Sequence, residues 1–143
     1  MVAYPALFEP AEEGGFVITF PDFGYGVTQA EDEAEAIEMA SDLLSCLISD
    51  RIAADDDLPA VGSHRGRKYR KISPPALEGV KAELYSGFRA ARMRKAELAR
   101  RLGIPKSNVD RLFNLKHSSR FEQLEAAFRA IGKEIRIEVR DAA

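Results

Sequence analysis

A chain of 143 residues, 45% of them hydrophobic, can bury a core as one ordinary domain or two small ones, and a charged share of 31% does not point to disorder. Its single cysteine, Cys46, excludes an internal disulfide; no leader is evident and no apolar run reaches bilayer length, so a cytoplasmic protein with no membrane partner is expected. The net charge of −2 conceals a division: residues 1–57 hold 14 acidic side chains against Arg51 alone, while residues 58–143 hold 20 basic against 9 acidic. Such polarity predicts two modules with different partners, an acidic one suited to a basic protein and a basic one suited to a polyanion.

The acidic half opens with strands. Tyr4 to Phe8 is short and apolar, the segment from Glu9 to Gly15 is rich in turn formers, and Phe16 to Phe20 alternates with Phe16, Ile18 and Phe20 on one face. Pro21-Asp-Phe-Gly24 turns the chain, and Tyr25 to Thr28 is expected as a third antiparallel strand. Asp32, with Glu35 three residues on, reads as the capped start of a helix. Its apolar stripe is Ile37, Ala40, Leu44, Leu47 and Ile48, with Cys46 as a small packing residue. Asp55-Asp-Asp57 lacks further ligand spacing and reads as a solvated helix end. A loop with a basic cluster follows (Arg65, Arg67, Lys68, Arg70, Lys71), in which His64 has no carboxylate at useful spacing and reads as a surface residue. Tyr69 to Ile72 is expected as a returning strand, and Ser73-Pro-Pro75 marks a boundary between residues 1–72 and 73–143.

The basic half reads as helical almost to its end. Leu77, Val80, Leu84, Phe88 and Ala91 recur at helical spacing from Leu77 to Met93. Lys95 to Leu112 has the pattern of a helix-turn-helix: Ala99 is small enough for a helix crossing, Gly103 accepts the positive φ of the turn, Val109 points back, and Pro105 suits the first turn of the second helix. Lys106, Ser107, Asn108, Asp110 and Arg111 are then outward groups able to meet base edges, with Lys95, Lys116 and His117 nearer phosphates. Arg120 to Ile131 forms a further helix with Phe121, Leu124, Ala127, Phe128 and Ile131 inward, stopped by Gly132. In the tail, Ile135, Ile137 and Val139 alternate with charged residues, the period of a strand. A lone strand has open edges, so pairing with the same strand of a second copy is expected, giving a homodimer with further assembly to a tetramer left open.

Three stretches of the first half resemble the HicB antitoxins, partners of HicA toxins in bacterial type II toxin–antitoxin systems: residues Tyr4 to Pro10, Gly15 to Asp22 and Asp32 to Ile37. The second half resembles the helix-turn-helix branch of that family, with Phe121 to Gly132 following the motif. The resemblance implies an α+β chain: a small antiparallel sheet with a helix, of partial ribonuclease-H-like fold, then a Cro-like helical domain. It implies binding and neutralisation of a small mRNA-cleaving toxin by the first half, and repression of the chain's own operon through operator DNA by the second. Phe23-Gly-Tyr-Gly26 departs from the family's usual turn after the second strand. The toxin-facing groups expected from charge and resemblance together are Asp22, Phe23, Tyr25, Glu31, Glu35, Glu38 and Asp42.

Neither a Ser/His/Asp set, a phosphate-binding Gly-rich loop nor a converging carboxylate cluster is present, so no enzymatic activity, metal or cofactor is expected. A free-standing repressor with a ligand-sensing first half is the competing reading; a small basic protein in the adjacent reading frame would favour the antitoxin.

Overall fold

Side chains that alternate between the two faces build the first hairpin, with Tyr4, Ala6, Phe8 and Ile18 buried on one of them. In the computed structural model, which describes residues 1–142, β1 (Tyr4–Pro10) pairs antiparallel with β2 (Phe16–Thr19), with Phe8 opposite Ile18. Gly15 is obligatory at the turn: its φ is +75°, and a Cβ there would stand 2.2 Å from the carbonyl oxygen of Ala30. β3 (Val27–Ala30) pairs with β2, and β4 (Tyr69–Ile72) returns to pair with β1, completing a four-stranded antiparallel sheet in the order β3-β2-β1-β4. The third strand begins two residues later than the sequence suggests. Gly24 and Gly26 both hold positive φ, so the chain is still turning at Tyr25, and Gly26 lies so close to Leu47 of the following helix that a side chain would collide.

That helix, α1 (Glu33–Ala53), covers one face of the sheet. Asp32 caps it by accepting the Glu35 N–H, but the Glu35 carboxylate accepts from Glu31 rather than from the cap residue itself, a box displaced by one position. Its buried stripe is Ala36, Ala40, Leu44, Leu47 and Ile48. Ile37, expected inward, is 47% exposed, because the two alanines let the helix approach the sheet closely and turn Ile37 aside. Cys46 is also exposed rather than packed.

After β4 come α2 (Ala76–Ala90), α3 (Lys95–Leu102), α4 (Lys106–Phe113) and α5 (Phe121–Ala130), giving an α+β chain. α2 ends before Met93, where Arg92 takes φ +53° and the helix cannot continue. Gly103 holds φ +65° between α3 and α4, and Ala99 and Val109 are buried where those helices meet. Leu77 and Phe121, expected inward, are 38% and 41% exposed at the starts of α2 and α5.

The two halves share an interior. Ala82 of α2 and Leu115 belong to the sheet–α1 core, while Ile52 and Leu58 pack on the helical core. Polar groups fasten the junction: Tyr85 donates its hydroxyl to the carbonyl of Asp56 (2.7 Å), Ser41 to that of Ser73 (2.9 Å), and Arg89 pairs with Asp57 (2.7 Å). Residues 133–140 form no strand within the single chain. Ile135 packs on the helical core, whereas Ile137 and Val139 are 69% and 90% exposed. Among the described residues no helix is long and apolar enough to cross a membrane.

Candidate functional site

α4 is an eight-residue helix whose inward side is Val109, Leu112 and Phe113. What remains outward is Lys106, Ser107, Asp110 and Arg111, with Asn108 half-buried. Two further devices hold this helix in place. The first is Lys81. Although it carries a charge, its side chain is wholly buried, and its ammonium donates to the carbonyls of Arg111 (2.9 Å), Asn114 (2.8 Å) and His117 (2.5 Å). These oxygens lie at and just beyond the carboxyl end of α4, where helical carbonyls lack partners and a positive charge complements the helix dipole. Burial pushes the Lys81 pKa down to about 8, so the ammonium form persists at neutral pH.

The second device is Lys95, which bridges Asp110 on α4 (2.8 Å) and Asp55 after α1 (3.4 Å). The Asp110 hydrogen bond is the largest cause of its raised pKa. Lys95 and Asp110, both expected to face DNA, are therefore engaged with each other. Lys116, expected near phosphate, pairs with Glu78 of α2 (2.9 Å), whose other oxygen accepts from the Ser45 hydroxyl of α1. This carboxylate thus ties together three elements, and its hydrogen bond raises the Lys116 pKa.

The structure consequently divides the expected nucleic-acid set. Among the described residues, the side chains of Lys106, Ser107 and Arg111 are exposed and make no hydrogen bond or ion pair; Lys95, Asp110 and Lys116 are committed within the fold. Asn108, Arg111 and His117 line a groove of about 310 Å³ between α4 and α5, floored by Leu102, Ile104 and Leu112.

On the first half, Asp22 is no free carboxylate. It accepts from the Gly62 N–H (3.0 Å) and lies 2.9 Å from His64 Nε2, with its side chain 8% exposed. His64, which the sequence left partnerless, also stacks on Tyr69. Phe23, expected at the protein-binding face, is buried edge-on against Tyr4 and Phe20, since the turn folds it under the sheet instead of outward. Tyr25 is 48% exposed and donates to Asp50 (3.0 Å), and Glu31, Glu35, Glu38 and Asp42 are all exposed. The Asp55–Asp57 triplet is exposed, as its sequence implies, and from there Asp55 pairs with Lys95, Asp57 with Arg89, and the Asp56 carbonyl accepts the Tyr85 hydroxyl.

Lys81 and Glu78 escaped the sequence reading, although a signal exists for the first. Leu77, Lys81, Leu84 and Phe88 are spaced four, three and four residues apart, placing a lysine on the apolar stripe.

Residues 3–83 match the family model of the HicB-like antitoxin of bacterial toxin–antitoxin systems. Antitoxin HicB of Escherichia coli (strain K12) is 36% identical over 132 residues, covering 92% of this chain and 95% of that protein. Antitoxin HicB 1 of Photorhabdus laumondii is 31% identical over 136 residues, covering 95% and 86%. Among solved structures, a toxin–antitoxin complex from Streptococcus pneumoniae matches at 36% identity with a TM-score of 0.40, over 43% of this chain and 45% of that one.

Proposed function

The chain belongs to the HicB-like antitoxins of bacterial toxin–antitoxin systems, and on that premise we propose that its acidic half binds and neutralises a small basic toxin of the HicA type while its basic half represses the operon that encodes both. The observation that carries this reading is the distribution of charges left unpaired. At the junction, Asp55 and Asp57 are neutralised by Lys95 and Arg89. Away from it, Glu31, Glu38 and Asp42 on the α1 side, and Lys106 and Arg111 on α4, are exposed without a charged partner among the described residues. Such an acidic surface attracts a basic, RNA-gripping protein and competes with RNA for it. An exposed row of Lys, Ser and Arg on a helix held by Lys81 beneath it and Lys95 beside it suits entry into a major groove.

Two copies joined through Ile135, Ile137 and Val139 would supply two such helices, as recognition of a two-half-site operator requires. The test is co-expression with the protein of the adjacent reading frame. The antitoxin reading expects a stable complex, relief of growth arrest, and a gel shift of the upstream DNA by this chain. A partner that is neither basic nor toxic, or no complex, refutes the first part; no gel shift refutes the second.

A further inference from the structure

The two edges of the sheet are built differently. β4 carries Arg70 and Lys71, preceded by Arg67 and Lys68, the charged dressing that keeps an edge from recruiting another strand. β3 is Val27-Thr-Gln-Ala30, with no charge at all. β3 is the last strand of the sheet, with β2 on one side and α1 on one face.

Register shows which backbone groups are free. The Ala30 carbonyl faces the start of β2, where a Cβ on Gly15 would meet it at 2.2 Å, and Ala30 is paired with Phe16. In an antiparallel ladder, hydrogen-bonded and open positions alternate. Thr28, like Ala30, therefore bonds inward to β2, while the N–H and C=O of Val27 and Gln29 point outward. Val27 is 61% exposed, and Tyr25 stands before the strand with its ring half in solvent. Beyond the other end, Glu31 and Glu35 are exposed, as are Glu12 and Glu13 of the β1–β2 turn, whose Gly15 touches Ala30.

From this we infer that the toxin docks on the β3 edge by adding an extended, basic segment as a fifth strand, main-chain bonds to Val27 and Gln29 supplying the grip and the surrounding carboxylates selecting positive charge. The inference rests on the toxin-binding reading above, and it assigns to that reading an edge rather than the exposed face of α1.

Gln29→Pro separates the two. Its N–H points outward, so proline removes an edge donor without breaking a bond of the sheet, a placement that edge strands tolerate. Gln29→Lys keeps the donor but sets a positive charge against a basic segment. Each full-length variant is compared with the wild type for binding to the toxin of the adjacent reading frame, by calorimetry, and for thermal unfolding. The expected result is wild-type unfolding with toxin affinity reduced about tenfold or more, the scale of one or two lost main-chain bonds. Hydrogen exchange of the wild-type complex should show new protection at Val27 and Gln29 and none at Arg70 or Lys71. If the wild type binds toxin and both variants bind equally well, the edge is not the site. Protection confined to α1 would likewise overturn the edge and put the toxin on the helix. If the wild type does not bind, the toxin-binding reading itself fails.

Discussion

Replacing Lys81 with methionine tests the most costly arrangement in the chain. Methionine keeps the length and apolar stem of lysine but removes the ammonium, leaving the carbonyls of Arg111 and His117 without a donor, while that of Asn114 keeps the His117 N–H (3.0 Å). Acceptors turned onto a buried side chain and left unpaired cost about 1–3 kcal/mol each. Against this stands relief from burying a charge. A pKa of about 8 in the fold, against 10.5 for the free side chain, corresponds to roughly 3 kcal/mol. The two orphaned carbonyls prevail narrowly, and a net loss of about 1–2 kcal/mol at pH 7 is expected. The pH dependence is distinctive. Because the folded pKa is depressed, the unfolded chain binds the extra proton between pH 8 and 10.5, so the wild type gains stability as pH rises through that window relative to the variant. Tyr4 acts oppositely: burial is the main cause raising its pKa to about 12, so its contribution is lost above pH 10, equally in both proteins. Urea unfolding of both proteins at pH 7, 8, 9 and 10 isolates Lys81 as their difference. A variant as stable as the wild type at pH 7, or a difference that is flat with pH, would refute the reasoning.

Other outcomes follow from the same geometry. Arg111→Ala and Lys106→Ala are each expected to cost about 1–3 kcal/mol at an operator base pair and to relax specificity there, read by gel shift against base-substituted operators. Lys116→Ala should lower stability more than DNA affinity, since it leaves the mostly buried Glu78 carboxylate with only Ser45; unfolding and gel shift on the same protein separate the two effects. Ile137→Asp should yield monomers in sedimentation with an unchanged unfolding midpoint at low protein concentration, because that side chain is 69% exposed in the single chain.

Local chemistry made much of this fold legible. The apolar run of β1, the alternation of β2, the Asp32 cap, the glycine at φ +65° between α3 and α4, and the buried Val109 all act within a few residues of where they are written. The misplacements have a common cause, contacts made far along the chain. Asp22 and His64 lie 42 residues apart, so neither betrayed the other. Ile37 and Cys46 fit a helical stripe, yet the phase of α1 is set by how closely Ala36 and Ala40 let it approach the sheet. Phe23 sits inside a turn, its N–H donated to the Phe20 carbonyl, that folds it beneath Tyr4, and nothing local distinguishes that path from an outward one. Lys81 could have been found by spacing; Glu78 could not, because its partners come from α1 and from the segment after α4.

The charge division acquires a second meaning in three dimensions. As a pattern along the chain, it sets an acidic module beside a basic one, each with its own partner. In the fold, the acidic residues nearest the boundary are turned onto basic residues of the other half: Asp55 on Lys95, Asp57 on Arg89. Exposed pairs of this kind contribute little stability singly. Here they accompany a buried apolar junction and the Tyr85 and Ser45 hydrogen bonds, so their part is to fix how the halves meet. That geometry sets the end of α1 next to α4, because Lys95 touches both Asp55 and Asp110. Among the charges that remain unpaired, Glu31 and Glu38 lie by the first turns of α1 and Lys106 and Arg111 on α4, and both helices are buried on their other side.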